Sequence, residues 1–404
     1  MALDIPRPRR AALVLSVAAM VLVAANMRPA ITAIGPVLDE IADDTGLSLA
    51  TLGALSSVPL ITWAIVSPLA HDVNRRMGLS QAILASLFLL GLGVVVRSLP
   101  GTSVTLWVGT ALIGVALAVG NVLMPAVIKR DFPGRVPLMM AVYSALLGGV
   151  GAIASGVVVP ISHAFADELD SPGAGWRGGL LLTGGVLLPF AIVVWTLASR
   201  GHGGGMPAGT RHRTGIWRDP VAWLIAGYMA LQSSSFYMLV TWLASISVST
   251  GRTAVVAGVD VMVYQLFSIA GSLAVPFAMR GAAKRWIAAA VPIVGVAGVL
   301  LLMAMPAGVG SWVAVLGLFS GASLGVALTL MAERARDHQA ASALSGMAQS
   351  VGYLFAALGP IAFGAAHAAT GGWTLSLCLL LAVMAGQAVV GGFAGRDRFV
   401  LDGR

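Results

Sequence analysis

The sequence has little charge and almost no cysteine. Asp, Glu, Lys and Arg make up only 10% of its 404 residues, whereas soluble domains carry about 25%. Because so few charges cannot cover a water-exposed surface, this composition excludes a soluble multidomain enzyme, a disordered chain and a nucleic-acid-binding protein. The single cysteine, Cys378, lies within an apolar run, which excludes a disulfide framework and a cysteine metal cluster.

Apolar residues account for 58% of the chain, and its mean hydropathy is +0.92. A transmembrane helix needs about 20 consecutive apolar residues. Twelve such runs lie near residues 11–38, 49–70, 79–99, 104–128, 136–164, 178–199, 220–248, 254–279, 286–305, 312–332, 340–369 and 373–394. We therefore predict an all-α integral membrane protein with twelve transmembrane helices that contact the lipid bilayer. The first run is predicted to continue as one helix well past Pro29.

The distribution of basic residues predicts how the chain crosses the membrane. Of the 24 Lys and Arg residues, 20 fall on segments that share a side with both termini, three (Arg97, Arg177 and Arg252) fall on the other side, and Arg28 falls on neither. Basic residues concentrate on the cytoplasmic side of membrane proteins. Both termini are therefore expected in the cytoplasm, and the protein in the inner (cytoplasmic) membrane of the cell.

The two halves of the chain show a weak similarity to each other. Short matches recur at offsets of 207 or 208 residues: Pro68 with Pro276, Leu123-Met124 with Leu330-Met331, and Met140-Ala141 with Met347-Ala348. A near-constant offset favours a duplicated unit, which predicts two pseudo-symmetric six-helix bundles with substrate bound between them near the midplane. The bundles are expected over residues 1–199 and 219–404, joined by a flexible cytoplasmic linker over 200–218 that is rich in Gly, His and Arg.

Several motifs resemble one transporter family. The loop at residues 68–76 is similar to the major facilitator motif Gly-x-x-x-Asp-Arg-x-Gly-Arg-Arg/Lys at Asp72 and Arg76, and departs from it at Pro68, Val73 and Arg75. Further segments resemble the cyanate/2-nitroimidazole permease (CynX/NimT) family: Asn26-Met27-Arg28-Pro29 with Gly35-Pro36, Gly120-Asn121 with Pro125, Gln232-Ser233 with Tyr237 and Thr241-Trp242, and residues 344–353 with Gly359-Pro360.

This resemblance extends from one end of the chain to the other. It implies the major facilitator fold, a monomer, and transport of small compounds that include cyanate-like anions and nitroimidazoles. Because members of the family differ in substrate, the resemblance does not identify the solute.

Arg28 is the most informative single residue. It lies about 17 residues into the first run, which is roughly 25 Å along a helix rising 1.5 Å per residue. An arginine in hydrocarbon costs from about 3 to over 10 kcal/mol, so Arg28 must face a cavity or a partner. Its planar guanidinium suits a carboxylate or another small oxyanion. A substrate-binding role and a structural ion pair both remain open at this point.

Polar stripes on the seventh and eleventh runs supply further candidates for substrate binding. We expect hydrogen bonds to the solute from Gln232 and Tyr237 on the seventh, and from Gln349 and Tyr353 on the eleventh. Trp63 and Trp242 are candidates to wall a small flat ligand. For each of these residues, packing between helices is the alternative.

Four charged residues are candidates for coupling or gating. Asp260 shares a helix face with Tyr264 and Ser268, and it is expected to be the counter-ion of Arg28, a proton carrier or a carboxylate in the outer vestibule. Asp72, Arg76 and Glu333 lie at inner helix ends, where they are expected either to gate the inner side or to be solvated.

We therefore predict a secondary active transporter that moves a small anionic or polar solute by alternating access. The alternative is a proton-coupled exporter of neutral aromatic or drug-like compounds. No P-loop, no His-Glu-x-x-His motif and no carboxylate cluster for a metal occurs in the sequence. Neither an enzymatic activity nor a cofactor or metal is expected.

Overall fold

The computed structural model describes residues 10–200, 214–279, 284–336 and 338–401, so most of the predicted linker lies outside the described residues. Within these ranges the chain forms α-helices and short 3-10 turns, with no β-strand. The α-helices are α1 (Arg10–Asn26), α2 (Pro29–Thr32), α3 (Leu38–Thr45), α4 (Leu49–Val66), α5 (Ala70–Met77), α6 (Leu79–Arg97), α7 (Ser103–Asp131), α8 (Val136–Leu169), α9 (Pro172–Gly185), α10 (Leu188–Ser199), α11 (Pro220–Ser249), α12 (Ala254–Ala278), α13 (Lys284–Ala304), α14 (Val309–Glu333), α15 (His338–Ala356), α16 (Leu358–Thr370) and α17 (Thr374–Ala394).

These helices form twelve spans. The first span comprises α1 to α3, the sixth α9 and α10, and the eleventh α15 and α16, whereas each of the others is a single helix and α5 lies in the loop after the second. Eleven spans are long and apolar enough to cross a membrane. The remaining span is α11, the seventh in chain order. It has 30 residues and is therefore about 45 Å long at 1.5 Å per residue. Its lower hydropathy reflects polar residues that the surrounding helices bury.

An even number of spans places both ends of the chain on one side. We call this side the termini face; it carries α5 and the start of α11. The other side, which carries the ends of α3 and α11, is called the opposite face. Arg97, which the sequence places in a loop on that side, is instead buried as the last residue of α6. Because the Arg97 side chain is buried, it does not contribute to the charge of the loops on the opposite face.

The first span is broken, whereas the sequence predicts one helix continuing past Pro29. α1 ends at Asn26 and α3 begins at Leu38, with one α-helical turn and one 3-10 turn between them. Because proline has no amide hydrogen, Pro29 and Pro36 cannot donate to the carbonyls four residues earlier. The carbonyl that Pro36 leaves free accepts a hydrogen bond from the Ser155 hydroxyl at 2.9 Å. A neighbouring span thus satisfies the backbone at the break.

The two six-helix bundles meet through α4 and α16, α8 and α12, and the first span and α11. Glycines allow the backbones to approach closely near the opposite face. A Cβ atom at Gly35 would overlap the carbonyl oxygen of Val240, and one at Gly53 would overlap that of Pro360. Only a residue without a side chain fits at these two positions, so the opposite face is closed by direct backbone packing.

Hydrogen bonds also cross between the bundles. The Ser245 hydroxyl of α11 donates to Asp39 Oδ1 of α3 at 2.9 Å, close to the opposite face. Nearer mid-depth, Gln265 Nε2 of α12 donates to the Ser155 hydroxyl of α8 at 2.8 Å. Ser155 in turn bonds the broken first span, so the C-terminal bundle is connected to the break through one side chain.

Ion pairs at the termini face join residues of the same bundle. Arg130 pairs with its neighbour Asp131 at 2.5 Å, and Arg334 pairs with Asp397 at 2.6 Å. The hydrogen bonds and glycine contacts between bundles described above lie from mid-depth to the opposite face. The structure is therefore a conformation closed at the opposite face.

Candidate functional site

Arg28 lies at the break in the first span. It is the N-cap residue of α2, directly before Pro29, and its carbonyl accepts hydrogen bonds from the amides of Ile31 and Thr32 at 3.0 and 3.1 Å. Pro29 has no amide hydrogen to donate to the carbonyl of residue 25, which explains why the helix is interrupted here. The break places the guanidinium between the two bundles, where it is partly exposed.

Aromatic residues from both bundles surround Arg28. Its Cζ atom lies 5.7 Å from the centroid of the Phe236 ring, a cation–π distance. The Arg28 guanidinium lies close enough to the hydroxyls of Tyr237, Tyr143 and Tyr353 to act on them electrostatically. Three of the five tyrosines in the chain thus lie around this one cation.

The aromatic groups support one another. The rings of Phe236 and Tyr237 meet edge to face with centroids 5.0 Å apart, and those of Tyr353 and Trp63 do so at 5.2 Å. The second pair joins α15 to α4 and therefore bridges the bundles. The Tyr143 hydroxyl is 3.3 Å from Asn121 Oδ1. The rings around Arg28 are therefore held in defined orientations.

No carboxylate in the described part of the chain neutralises the charge of Arg28. Among residues 10–200, 214–279, 284–336 and 338–401, no Asp or Glu forms an ion pair with it. Asp260 is buried and is bonded to Arg252 and to the Ser247 hydroxyl, so the structure does not place it as the counter-ion of Arg28. A cation between the bundles that has no counter-ion can bind a negatively charged or strongly polar group.

The two predicted glutamines lie one turn from the aromatic residues. Gln232 is four residues before Phe236 on α11, and Gln349 is four residues before Tyr353 on α15, so each pair shares a helix face. Gln232 is buried and accepts a hydrogen bond from its neighbour Ser233 at 3.1 Å. Gln349 is half-buried and donates to the Ser345 hydroxyl at 2.9 Å. Both amides lie on the termini-face side of the aromatic residues.

The two predicted tryptophans differ in their surroundings. Trp63 is buried beside Tyr353, and its indole N–H has no hydrogen-bond partner in the described part of the chain. Trp242 is fully buried, and its N–H donates to the Pro360 carbonyl at 3.0 Å. Its ring packs on Trp373. Trp63 thus adjoins the aromatic group at Arg28, whereas the structure assigns Trp242 to packing within the C-terminal bundle.

The predicted gating residues lie near the termini face. Asp72 pairs with Arg75 at 2.9 Å, and both side chains are largely exposed. Arg76 is exposed and Glu333 is half-buried at the end of α14. The structure brings none of these residues close to Arg28.

Two residues at the site carry no signal that sequence reasoning can use. Phe236 is one aromatic residue among many in an apolar helix, and its position over Arg28 depends on how the bundles meet. Tyr143 lies in α8, and its position beside Arg28 depends on how α8 packs against the first span. In contrast, Asn121 belongs to a segment that resembles the transporter family.

The space beyond Arg28 toward the opposite face is nearly filled. A cavity of ≈ 10 Å³ lies there between the bundles, lined by residues that include Ile34, Ser56, Tyr237 and Thr241; this is about the space that one water molecule needs. A larger cavity of ≈ 630 Å³ adjoins Asp44 and Arg177 on the opposite face of the N-terminal bundle. It lies outside the contact between the bundles and holds the Arg177–Asp44 ion pair.

Comparisons with known proteins agree with the fold. The sequence model of the Major Facilitator Superfamily matches residues 13–360. The 2-nitroimidazole transporter of Escherichia coli (strain K12) is 36% identical over 386 residues, which are 95% of each chain. The cyanate transport protein CynX of the same organism is 26% identical over 88% of this chain and 91% of its own. A bacterial homolog of the human lysosomal transporter Spinster, solved in an inward-facing and unoccupied conformation, has 16% identity and a TM-score of 0.73 over 96% of this chain and 95% of its own.

Proposed function

The chain belongs to the Major Facilitator Superfamily, and we propose that it carries a small anionic solute bound by Arg28. The family match and the relatives confirm several predictions from the sequence. The protein is a multi-pass membrane protein with the major facilitator fold, and it is a secondary transporter of a small solute rather than an enzyme. The charge of that solute, the coupling ion and the orientation in the membrane are proposals.

The observation that carries the proposal is the position of Arg28. It lies at a helix break between the bundles, it is partly exposed, and no carboxylate of the described ranges pairs with it. Its cation–π contact with Phe236 is worth about 0.5 to 2 kcal/mol. A hydrogen bond to a charged group contributes about 1.5 to 3 kcal/mol, and a guanidinium can make two to one oxyanion. An anion therefore competes well for Arg28.

Alternating access requires the contacts between the bundles near the opposite face to break. In the conformation described here, Asp39 and Ser245 hold the opposite face shut, and Gln265 holds Ser155. Rocking of one bundle against the other would separate these pairs and open Arg28 to the opposite face. Because Phe236 and Tyr353 belong to the other bundle, a solute on Arg28 would contact both bundles and couple binding to their movement.

Substitution of Arg28 tests the proposal. We expect Arg28→Ala to lower the affinity for cyanate or benzoate by at least about tenfold. The variant loses a hydrogen bond to a charged group, worth about 1.5 to 3 kcal/mol, and each tenfold in affinity corresponds to about 1.4 kcal/mol. Arg28→Lys should also impair binding, since an ammonium lacks the planar fork. Binding is measured by isothermal titration calorimetry on the purified protein.

Arg396→Ala is the matched control. Arg396 also lies over a phenylalanine ring, with its Cζ 5.0 Å from the centroid of Phe393, but it is exposed at the termini face. Its loss should leave affinity unchanged. If Arg28→Ala binds both anions as tightly as the wild type does, the anion proposal is wrong.

Export of a neutral aromatic compound is the second candidate. The rings of Phe236, Tyr143, Tyr237, Tyr353 and Trp63 favour it, since they offer flat apolar surfaces beside hydroxyl groups. If the protein exports neutral aromatic compounds, 2-nitroimidazole binds to the wild type and to Arg28→Ala with similar affinity, whereas cyanate binds to neither protein. Competition between the two compounds on one protein preparation separates the candidates.

Proton coupling would require a carboxylate that changes its protonation. Asp260 remains the proposed carboxylate, and Asp72, Arg76 and Glu333 remain proposed gate residues of the termini face. Because Arg252 and Ser247 hold Asp260 in the closed conformation, a coupling role would require this bond to open. Transport by Asp260→Asn in vesicles with and without an imposed pH gradient tests this role.

We further propose that the termini face is cytoplasmic, that residues 200–218 link the bundles there and that the protein acts as a monomer. The excess of basic residues on that side supports the orientation. Reporter fusions at each terminus test it, and the mass of the purified protein in detergent tests the oligomeric state.

A further inference from the structure

Arg97 is a buried cation that the binding of a solute at Arg28 does not explain. It is the last residue of α6 and is only 1% exposed. Its Nη1 donates a hydrogen bond to the Ala30 carbonyl at 2.6 Å. Its Nε and Nη2 are buried and have no hydrogen-bond partner among the described residues, and no carboxylate in those ranges forms an ion pair with it. A buried charge with unused donors is costly.

The carbonyl that Arg97 binds is free because the first span is broken. In a continuous helix, the amide of Ile34 would donate to the carbonyl of Ala30. Here this amide bonds the Ile31 carbonyl instead, at 3.3 Å. Arg97 takes its place, and a hydrogen bond from a charged donor is roughly twice as strong as one between neutral groups. Ala30 is two residues from Arg28, in the single turn that follows the break.

Neighbouring helices pack on both ends of this hydrogen bond. Gly109 of α7 packs directly on the Arg97 backbone, because a Cβ atom there would lie 2.6 Å from the Arg97 Cα. Gly184 of α9 packs on the other end, with its Cβ position 3.5 Å from the Ala30 Cα. The third, fourth and sixth spans thus fix the turn that carries Arg28.

We propose that Arg97 is a positioning residue for Arg28. Through the Ala30 carbonyl, it sets the direction in which the Arg28 guanidinium enters the space between the bundles. Arg97 itself does not touch the solute. The functional meaning of this role rests on the proposed function of Arg28, but the position of residue 28 can be measured on its own.

A thiol at residue 28 reports its position without the solute. In a Cys378→Ser background, Arg28→Cys supplies the only thiol of the chain. The probe is 2-sulfonatoethyl methanethiosulfonate, and the measurement is its second-order rate of reaction with purified protein. Adding Arg97→Met is expected to change this rate by about tenfold, because it removes the one charged hydrogen bond that fixes the turn next to residue 28. Arg97→Lys keeps a charged donor and should stay within about threefold of the parent.

Arg334→Met is the matched control. Arg334 is 3% exposed, follows the last residue of α14 and donates to the Gly395 carbonyl at 2.9 Å, so it is also a buried arginine bound to a backbone carbonyl. It lies at the termini face of the other bundle, and its loss should leave the rate at residue 28 unchanged. If Arg97→Met fails to fold, Arg97→Gln, which is neutral and shorter, should give the same change.

The outcomes separate this inference from the proposed function. An unchanged rate in Arg97→Met or Arg97→Gln overturns the positioning role, as does an equal change in Arg334→Met. If Arg97→Met changes the rate while Arg28→Ala binds cyanate and benzoate normally, Arg97 positions residue 28 and the anion proposal fails. If Arg28→Ala loses anion binding and Arg97→Met leaves the reaction rate at residue 28 unchanged, the proposed function stands and the positioning role of Arg97 is wrong.

Discussion

Gly35 offers a direct way to perturb the closure of the opposite face. Its α-carbon faces α11 so closely that a Cβ atom would overlap the Val240 carbonyl oxygen. Gly35→Ala must therefore push the two bundles apart or distort a backbone. Overpacking of this kind costs typically about 1 to 3 kcal/mol. Because the clash exists only in the conformation closed at this face, we expect the population to shift toward the open one by about 5- to 150-fold.

A cysteine at Ser56 measures this shift. The Ser56 hydroxyl is buried beside the small cavity between the bundles and has no hydrogen-bond partner in the described ranges, so Ser56→Cys removes no observed contact. In a Cys378→Ser background, a membrane-impermeant maleimide added from the opposite face should label Ser56→Cys at least about fivefold faster after Gly35→Ala.

Gly149→Ala is the control for this experiment. Gly149 lies in α8, and a Cβ atom there would meet nothing within 4 Å, so the labelling rate should not change. Equal rates in Gly35→Ala and its parent would refute the reasoning that backbone contact closes the opposite face. Equal acceleration by Gly149→Ala would show that any added methyl group loosens the bundles.

Three further predictions concern the contacts between spans. Trp242→Phe removes the indole hydrogen bond to Pro360 and should lower the free energy of unfolding by about 1 kcal/mol, without changing anion affinity in calorimetry. Ser245→Ala breaks the bond to Asp39 and should speed labelling at Ser56→Cys; an unchanged rate would show that this bond does not hold the face shut. Gln265→Leu leaves Ser155 without its partner in the other bundle, and should reduce the transport rate more than the affinity, as compared by vesicle uptake and calorimetry.

The arrangement of spans is readable from the sequence because lipid imposes a simple rule. Each span must bury its backbone polar groups and present apolar side chains over about 20 residues, so hydropathy alone locates most of the helices. The internal repeat and the family motifs then predict two bundles. The same reasoning predicts α11, although polar residues such as Gln232 lower its hydropathy.

The break in the first span is less accessible to such reasoning. Pro29 and Pro36 each remove an amide, but proline is tolerated in many membrane helices when neighbours satisfy the freed carbonyls. Here Ser155 bonds the Thr32 carbonyl that Pro36 frees, and Arg97 bonds the Ala30 carbonyl that the Ile34 amide does not reach. Neither Ser155 nor Arg97 is close to the break in sequence. Arg97 illustrates the difficulty. A basic residue at the end of a transmembrane helix is ordinarily solvated, and only the tertiary packing shows that this one is buried.

The candidate site was predictable in part. Arg28 stands out because charge inside an apolar run is expensive, and Tyr237 and Tyr353 follow from polar stripes at helical spacing. Trp242 is predicted because an indole can wall a flat ligand, yet the structure gives it a packing role. Which face of α11 meets the other bundle depends on tertiary packing, and this decides that Phe236 lies over Arg28 while Trp242 does not.

The burial of α11 also bears on how the protein is made. This span alone falls short of the apolar criterion that the other eleven meet, because most of its side chains contact other helices rather than lipid. A segment of this kind gains little from partitioning into the bilayer by itself. Its stable insertion is therefore expected to depend on later spans, and in a chain truncated directly after Ser249 α11 would insert poorly although the six earlier spans keep the chain in the membrane.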